Sequence, residues 1–381
     1  MMNSARHICL LTSSYPADYS RFLDREAKSL YQAGFQVTLI GLGNESGADD
    51  FNGIKVIRVR KRHNLFKFRT LTEIARLAIA ENADVYHCID PWCLMIGLKI
   101  KKFRTEVRII YESSEWFPRQ YLDRIDLPRP VRLFCWLIIS YLEYIACRRA
   151  EAIIETNQMR AQRFIRRKAN LQIIPNYPPL TALKMLTSRR KPWVMYTGLI
   201  CRPRGFDRLL TALVQVKSKY PDIKLIVRGE FDPHDDIEEW TNNYIRQHGL
   251  QDNIQFVPRI SSYEKIFELL QNGLCGVILF QPRRGNDWTN QPNKLFEFMS
   301  AGIAVIASNF PEIASIINNS RCGWLIDPTS PEEIAQALER VMADPEDAIR
   351  RGMAGRRWVE SSYNWGIAER SLLDIYQQVT G

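Results

Sequence analysis

Most of the signatures that assign a cofactor at sight are missing from this 381-residue chain. No stretch reads G-x-G-x-x-G, so no strand-to-helix turn carries the dinucleotide fingerprint, and no P-loop lysine motif is present. H-E-x-x-H is absent. The five histidines, His7, His63, His87, His234 and His248, are scattered without ligand spacing, which argues against a metal centre. The eight cysteines form no C-x-x-C pair and mostly sit in apolar stretches. They are expected to be reduced core thiols of a cytosolic protein rather than a disulfide framework. Long apolar runs are lacking too. The longest, LFCWLIISYL at 133–142, stops at Glu143, short of the roughly 18–20 residues a spanning helix needs. The first residues show one early arginine and ICLL before polar residues, which is no signal-peptide pattern.

What is present begins with charge. The net charge of +10 falls entirely in the first half: residues 1–180 hold 28 Lys and Arg against 18 Asp and Glu, whereas residues 181–381 hold 24 of each. The excess gathers in IRVRKRHNLFKFR (57–69), KIKKFRTEVR (99–108) and RFIRRK (163–168). A basic half points to an acidic partner: nucleic acid, anionic lipid headgroups or a phosphorylated substrate. The amphipathic stretch 131–149 lies in the same half and favours an anionic membrane surface.

Short apolar runs rich in β-branched residues alternate with helical patterns along the whole chain. They predict strands at 7–12, 36–42, 55–59, 84–89, 107–112, 152–156 and 171–176, and again at 193–198, 223–229, 254–258, 276–281, 303–308 and 323–327. Helical periodicity fills the gaps, as at 21–34 and 206–220. Continuously apolar strands alternating with helices predict parallel sheets covered on both faces. The length suits two domains. The proline- and arginine-rich stretch 176–192 marks the boundary, which predicts domains at 1–180 and 181–361 and a final helix at 362–381. Ligands of such sheets bind beyond the carboxyl ends of the strands and in clefts between domains.

Two loops in the second half carry candidate chemistry. YTGLICRPRGFDRLL (196–210) reads strand, glycine turn, two arginines and amphipathic helix, and places Arg202 and Arg204 at a helix mouth that attracts phosphate. TNQPNKLFEFMSAGIAVIASN (289–309) reads loop, helix and buried strand. Pro292 suits the first helical turn, with Gln291 or Asn290 as cap. Free amides at 290–294, Lys294 and the Arg204 loop are then suited to a diphosphate, and Glu297, a turn and a half inward, to the paired hydroxyls of a ribose.

These stretches, with DREAKSLYQAGFQVTLIG (24–41), DVYHCID (84–90), IIYESSEWFP (109–118), IIPNYPP (173–179) and SYNWGIAERSLLDIY (362–376), resemble retaining glycosyltransferases of the GT-B fold and the family 4 type, over nearly the whole chain. The resemblance implies an α/β protein of two Rossmann-like, doubly wound parallel-sheet domains facing a cleft, with a C-terminal helix returning to the first domain. It implies a metal-independent transfer with retention from a nucleotide-diphosphate sugar to a saccharide or lipid-diphosphate-linked acceptor, in the assembly of a surface polysaccharide. The protein would then be cytoplasmic, at the inner membrane face. Carried over by position, Arg204, Lys294 and Glu297 are the catalytic candidates. Gly198, Arg202, Arg259, Thr289, Asn290, Gln291 and Asn293 are expected on the donor side. Asp18, Arg21, His87, Asp90, Ser114 and Glu115 are expected on the acceptor side. The chain departs from the family pattern at three positions: Thr289 stands for the first glutamate of Glu-x7-Glu, Leu199 for an arginine and Ser114 for a histidine. These motivate an alternative, a catalytically inactive nucleotide-sugar-binding subunit. A sugar-nucleotide epimerase and a nucleic-acid binder explain fewer of the motifs, and no nucleic-acid partner is expected.

Overall fold

A computed structural model describes residues 6–61, 67–122, 128–165, 170–179, 190–258, 263–282 and 291–381. The chain divides into two compact units, Met1–Asn176 with Trp365–Gly381, and Tyr177–Asn364.

The first unit is built on an eight-stranded sheet of order β3-β4-β2-β1-β5-β6-β7-β8. Its strands are β1 (His7–Pro16), β2 (Gln36–Gly43), β3 (Gly47–Phe51), β4 (Ile54–Arg60), β5 (Val85–Cys88), β6 (Arg108–Ser113), β7 (Ala152–Glu155) and β8 (Leu171–Ile173). The interior strands β5 and β7 are buried along their length, as parallel strands covered on both faces must be. The exception is β3, which pairs antiparallel with β4 at the edge and is exposed throughout. Its sequence, GADDF, has neither apolar periodicity nor β-branched residues, so nothing in the pattern predicts it. The covering helices are α1 (Lys28–Gln32), α2 (Lys67–Glu81), α3 (Pro91–Phe103), α4 (Phe117–Leu122), α5 (Arg129–Arg149) and α6 (Gln158–Ile165). A π-helical turn, Arg21–Ala27, precedes α1. Its wider i→i+5 winding brings residues five apart onto one side, and Arg21 meets Glu26 at 3.0 Å, both buried.

The second unit has a six-stranded, all-parallel sheet of order β11-β10-β9-β12-β13-β14. The strands are β9 (Trp193–Thr197), β10 (Lys224–Arg228), β11 (Ile254–Val257), β12 (Cys275–Ile278), β13 (Ala304–Ser308) and β14 (Gly323–Ile326). Helices α7 (Phe206–Lys217), α8 (Ile237–Gln247), α9 (Tyr263–Leu270), α10 (Asn293–Ser300), α11 (Pro311–Ser320), α12 (Pro331–Ala343) and α13 (Pro345–Ser361) cover it. On one face Leu209, Leu213 and Val216 of α7 join Leu338 and Val341 of α12 over Val194, Leu225 and Val277. On the other Leu295, Phe298 and Met299 of α10 pack on Met195, Ile278 and Val305. The last helix, α14 (Trp365–Thr380), belongs to the first unit, where the Trp365 indole N–H donates to the Ser29 hydroxyl at 3.0 Å.

In each sheet the chain works outward in opposite directions from two central neighbours, β1 and β5 in one, β9 and β12 in the other. The carboxyl ends of those neighbours are the switch points where doubly wound sheets bind ligands. All eight cysteines are free thiols, and all but Cys135 are buried. Helix α5 corrects one reading of the sequence: it is long and apolar enough to cross a membrane. A count of uninterrupted apolar residues misses it because Glu143 interrupts the run.

Candidate active site

Of the candidates in the second unit, Gly198, Arg204 and Lys294 gather at its switch point. Beyond β9, Gly198 adopts a φ of +104°, which a side chain rarely tolerates, and a Cβ there would lie 2.8 Å from the Arg204 guanidinium. The glycine therefore serves two ends: it permits the turn and leaves room for the arginine. Arg202–Arg204 form a single 3-10 turn that ends at Gly205, itself at φ +70°, from which α7 starts. Beyond β12, Phe280 presents its ring to two cations: the Arg204 guanidinium at 5.8 Å and the Lys294 amino group at 5.1 Å. The same amino group lies 5.0 Å from the Tyr196 ring.

Lys294 is the most unusual of these groups. It is 7% exposed, and its amino nitrogen has no hydrogen-bond partner among the described residues. Burial, then the nearby positive charge of Arg204, pull its pKa down to about 7, against a smaller upward pull from Glu297. Two cations held against aromatic faces without a carboxylate between them cost stability unless an anion joins them. The start of α10 adds backbone donors. Pro292 is the cap residue, in extended conformation and without a side-chain hydrogen bond, and Asn293 is the first helical residue. The helix thus begins one residue later than expected, and Pro292 stands before it rather than within its first turn. Free amides at a helix start favour an anion. Glu297 is half-buried one turn on from Lys294.

Two donor-side expectations fare differently. Arg202 turns away from the Arg204–Lys294 pair: its guanidinium donates to Asp236 at 2.7 Å, lies 3.5 Å from Asp235 and rests over the Trp240 ring. It is spoken for by carboxylates two loops away, so it does not replace the arginine that Leu199 lacks. Gln291 donates to Glu312 at 2.6 Å, which anchors the residue before the cap. Arg259, Thr289 and Asn290 lie outside the described residues.

On the first unit the expected acceptor-side residues separate into three groups. Asp18 is exposed in the turn after β1. Ser114 and Glu115 follow β6; the Ser114 hydroxyl lies 3.1 Å from the Tyr15 hydroxyl, and Glu115 pairs with Arg160 at 3.3 Å. Ser114 is itself only 9% exposed and Glu115 is half-buried. Arg21, His87 and Asp90 are buried more deeply. Arg21 is 2% exposed and donates to Glu112 at 2.9 Å and to the Ile174 carbonyl at 3.0 Å. His87 is fully buried, with Nε2 3.1 Å from Glu112 and Nδ1 2.8 Å from the Tyr376 hydroxyl of α14. Asp90 accepts from the amides of Ser13, Trp92 and Cys93 at 2.6, 3.0 and 2.9 Å, and so caps α3 while fixing the end of β1. The sequence pattern cannot tell a ligand-facing polar residue at a strand end from one turned under the sheet.

Glu26, His87 and Glu112 lie close enough together to suit a metal ion, a grouping invisible in the sequence because they come from three separate elements. Arg21, at 3.0 and 2.9 Å from the two carboxylates, already supplies the positive charge there. Burial and the neighbouring Glu112 raise the Glu26 pKa. A second buried cluster escaped the sequence reading. Arg163, the first residue of the basic stretch 163–168, reaches Glu155 at 3.0 Å and Glu143 at 3.3 Å. Burial raises Glu155 to a pKa of about 7 despite Arg160 and Arg163.

Two family models match consecutive parts of the chain: Glycosyltransferase Family 4 at residues 20–177 and Glycosyl transferases group 1 at 185–358. The chain belongs to these glycosyltransferases, with the GT-B fold. It is 23% identical over 363 residues to spore coat protein SA of Bacillus subtilis, covering 84% of this chain and 91% of that protein. It is 22% identical over 189 residues to a GDP-mannose-dependent alpha-(1-6)-phosphatidylinositol monomannoside mannosyltransferase of Mycobacterium tuberculosis, which spans 49% of this chain and 47% of that enzyme. Among solved structures, Anabaena Alr3699/HepE in complex with UDP-glucose superposes with a TM-score of 0.72 at 14% identity, over 98% of this chain and 99% of that one.

Proposed function

We propose that the protein transfers a sugar, with retention of anomeric configuration and without a metal ion, from a nucleotide-diphosphate sugar to a saccharide or lipid-linked acceptor in surface-glycan assembly. The observation that carries this reading is the buried, unpartnered Lys294 amino group beside Arg204. A diphosphate completes that arrangement: Arg204 and Lys294 meet its charge and the first amides of α10 donate to it. Glu297 accepts from the ribose hydroxyls, and Gly198 keeps the approach open. The relative that uses GDP-mannose and the neighbour that holds UDP-glucose support a nucleotide sugar as donor.

In the reaction the bond from the anomeric carbon to the diphosphate oxygen breaks, and its electron pair stays on the diphosphate. The acceptor hydroxyl oxygen bonds to the anomeric carbon from the same face, and its proton passes to the departing diphosphate oxygen. Negative charge grows on the leaving group, where fixed cations lower the barrier more than they tighten ground-state binding. Ser114 and Glu115 are the acceptor-side groups at the strand ends. A thermal-shift panel of UDP, GDP, ADP and their sugars tests the reading, followed by transfer assays with lipid-linked acceptors. Stabilisation by one nucleotide and its sugar, with transfer or slow donor hydrolysis, is expected. Tight binding without either reaction would favour the inactive-subunit alternative.

A further inference from the structure

The first unit wears apolar side chains on its outside. Along α5, Phe134, Leu137, Tyr141 and Tyr144 are 63%, 53%, 63% and 41% exposed. Their spacing of three and four residues aligns them in one stripe. The opposite side of the helix carries the buried Ile139, Leu142, Ala146 and Cys147. The helix has one acidic residue, Glu143, and it is turned inward, where it accepts from the Tyr111 hydroxyl at 3.3 Å. The outer face of α5 therefore offers apolar rings and no negative charge.

A groove of about 790 Å³ lies between α2 and α3, and α3 packs against α5. Phe68 and Phe103 stand at its rim, 83% and 76% exposed. Trp92 lines the groove and also packs against Ile139 and Leu142 on the inner face of α5, which ties the groove to the helix that carries the stripe. Cations surround both. Arg129 and Arg132 begin α5 and Arg148 and Arg149 end it, while Lys99, Lys102 and Arg104 lie at the end of α3. An apolar patch of this extent on a protein surface marks a partner, and a rim of cations selects an anionic one.

Helix α5 has the length of a bilayer core, about 1.5 Å for each of its 21 residues. Its place in the fold rules out crossing. Ala150 ends it, and β7 begins two residues later inside the sheet, between β6 and β8. Only a helix lying along the surface satisfies both the packed inner face and the bare outer one. We propose that the α5 stripe and the α2–α3 groove together form the docking face for an anionic lipid bilayer. The rings of α5 sit at the headgroup–acyl boundary, and the arginines and lysines sit against the lipid phosphates. This surface deepens the reading of a lipid-linked acceptor, yet it stands or falls without it, because nothing in it involves the nucleotide site.

The test is flotation of the full chain with vesicles of phosphatidylcholine containing phosphatidylglycerol, and with pure phosphatidylcholine vesicles, at low and high salt. The wild type is expected to float with the anionic vesicles and to release partly in high salt. The exposed triple variant F134S/L137S/Y141S keeps every cation, and its partition coefficient is expected to fall by more than about tenfold. Thermal melting and nucleotide binding, measured on both proteins, report whether the variant is folded. Three results would overturn the proposal: no flotation of the wild type, equal flotation with neutral vesicles, or wild-type binding by the folded triple variant. A wild type that stays unbound but sediments as a dimer, and as a monomer when the stripe is replaced, would assign the face to a second copy of the chain.

Discussion

The two units solve the placing of polar and apolar groups in opposite ways. Of the 15 large apolar side chains exposed among the described residues, 14 belong to the first unit and one, Phe256, to the second. Buried charge runs the same way. The first unit hides Arg21, Arg25, Glu26, Asp90, Glu112, Glu143, Glu155 and Arg160, the second only Lys294 and Arg356 among those described. In the first unit Arg21 pairs with Glu26 and Glu112, and Arg160 with Arg163 flanks Glu155, while Asp90 is held by backbone amides. In the second, Arg356 pairs with Glu360 at 2.6 Å, which leaves Lys294 as the buried charge with no carboxylate in contact among the described residues. The lesson concerns where to look for ligands. Charges that neutralise one another inside a domain are architecture, however suggestive their types. A charge whose partner must come from outside marks a site. By the same reasoning, apolar groups left outside mark a surface that water does not cover.

This contrast can be broken or sharpened by substitution. The largest effect is expected from Arg204→Ala, which should lower turnover by about a hundred- to a thousandfold while donor affinity changes less; steady-state transfer with nucleotide titration separates the two. Next comes Arg21→Met. It leaves Glu26 and Glu112 facing each other without their shared cation and is expected to destabilise the first unit by about 3–5 kcal/mol. Urea denaturation reads the loss, and nucleotide affinity in the second unit should be unchanged. A Glu297→Ala variant is expected to weaken nucleotide binding by about 1.5–3 kcal/mol, the value of a hydrogen bond to a charged group, with a smaller effect on turnover.

The smallest effects concern pH and run in opposite directions in the two units. Glu155 is raised to about 7 in the folded protein, so the folded first unit holds a proton that the unfolded chain has released. Its stability should therefore fall as pH rises from the ordinary carboxylate range through about 7. Lys294 is lowered to about 7, so the unfolded chain holds the extra proton between that value and the ordinary lysine range. The second unit should gain stability as pH climbs through that window. Glu155→Gln and Lys294→Met should each flatten one slope, and thermal melts across pH measure both.

Much of this architecture was legible in the sequence. Each expected strand has a counterpart because continuous β-branched runs have few other uses in an α/β chain, and the glycine–arginine loop and the helix before IAVIAS lie where their spacing placed them. Edge strand β3 was not legible, since an exposed edge needs no apolar pattern. Nor was the inward turn of Arg163, Arg21 and His87, because the side of a sheet on which a polar residue ends depends on partners far away in sequence. Tyr196 and Phe280 were also missed. They read as ordinary core aromatics, and their service as faces for Lys294 and Arg204 appears only when the carboxyl ends of β9 and β12 lie side by side.

Burial and Arg204 pull the Lys294 pKa down to about 7, and a diphosphate bound beside it would reverse that shift. Calorimetric titration with UDP and GDP near pH 8, with EDTA present and in buffers of different ionisation enthalpy, tests it directly. Metal-free binding of one nucleotide with uptake of a proton is expected, because the phosphate charge raises the Lys294 pKa above the value of about 7 it has without ligand. Affinity should fall as pH rises beyond that value, and Lys294→Met should abolish the proton uptake. Binding that requires Mg²⁺ or Mn²⁺, or proton uptake that persists in the Lys294→Met variant, would contradict it.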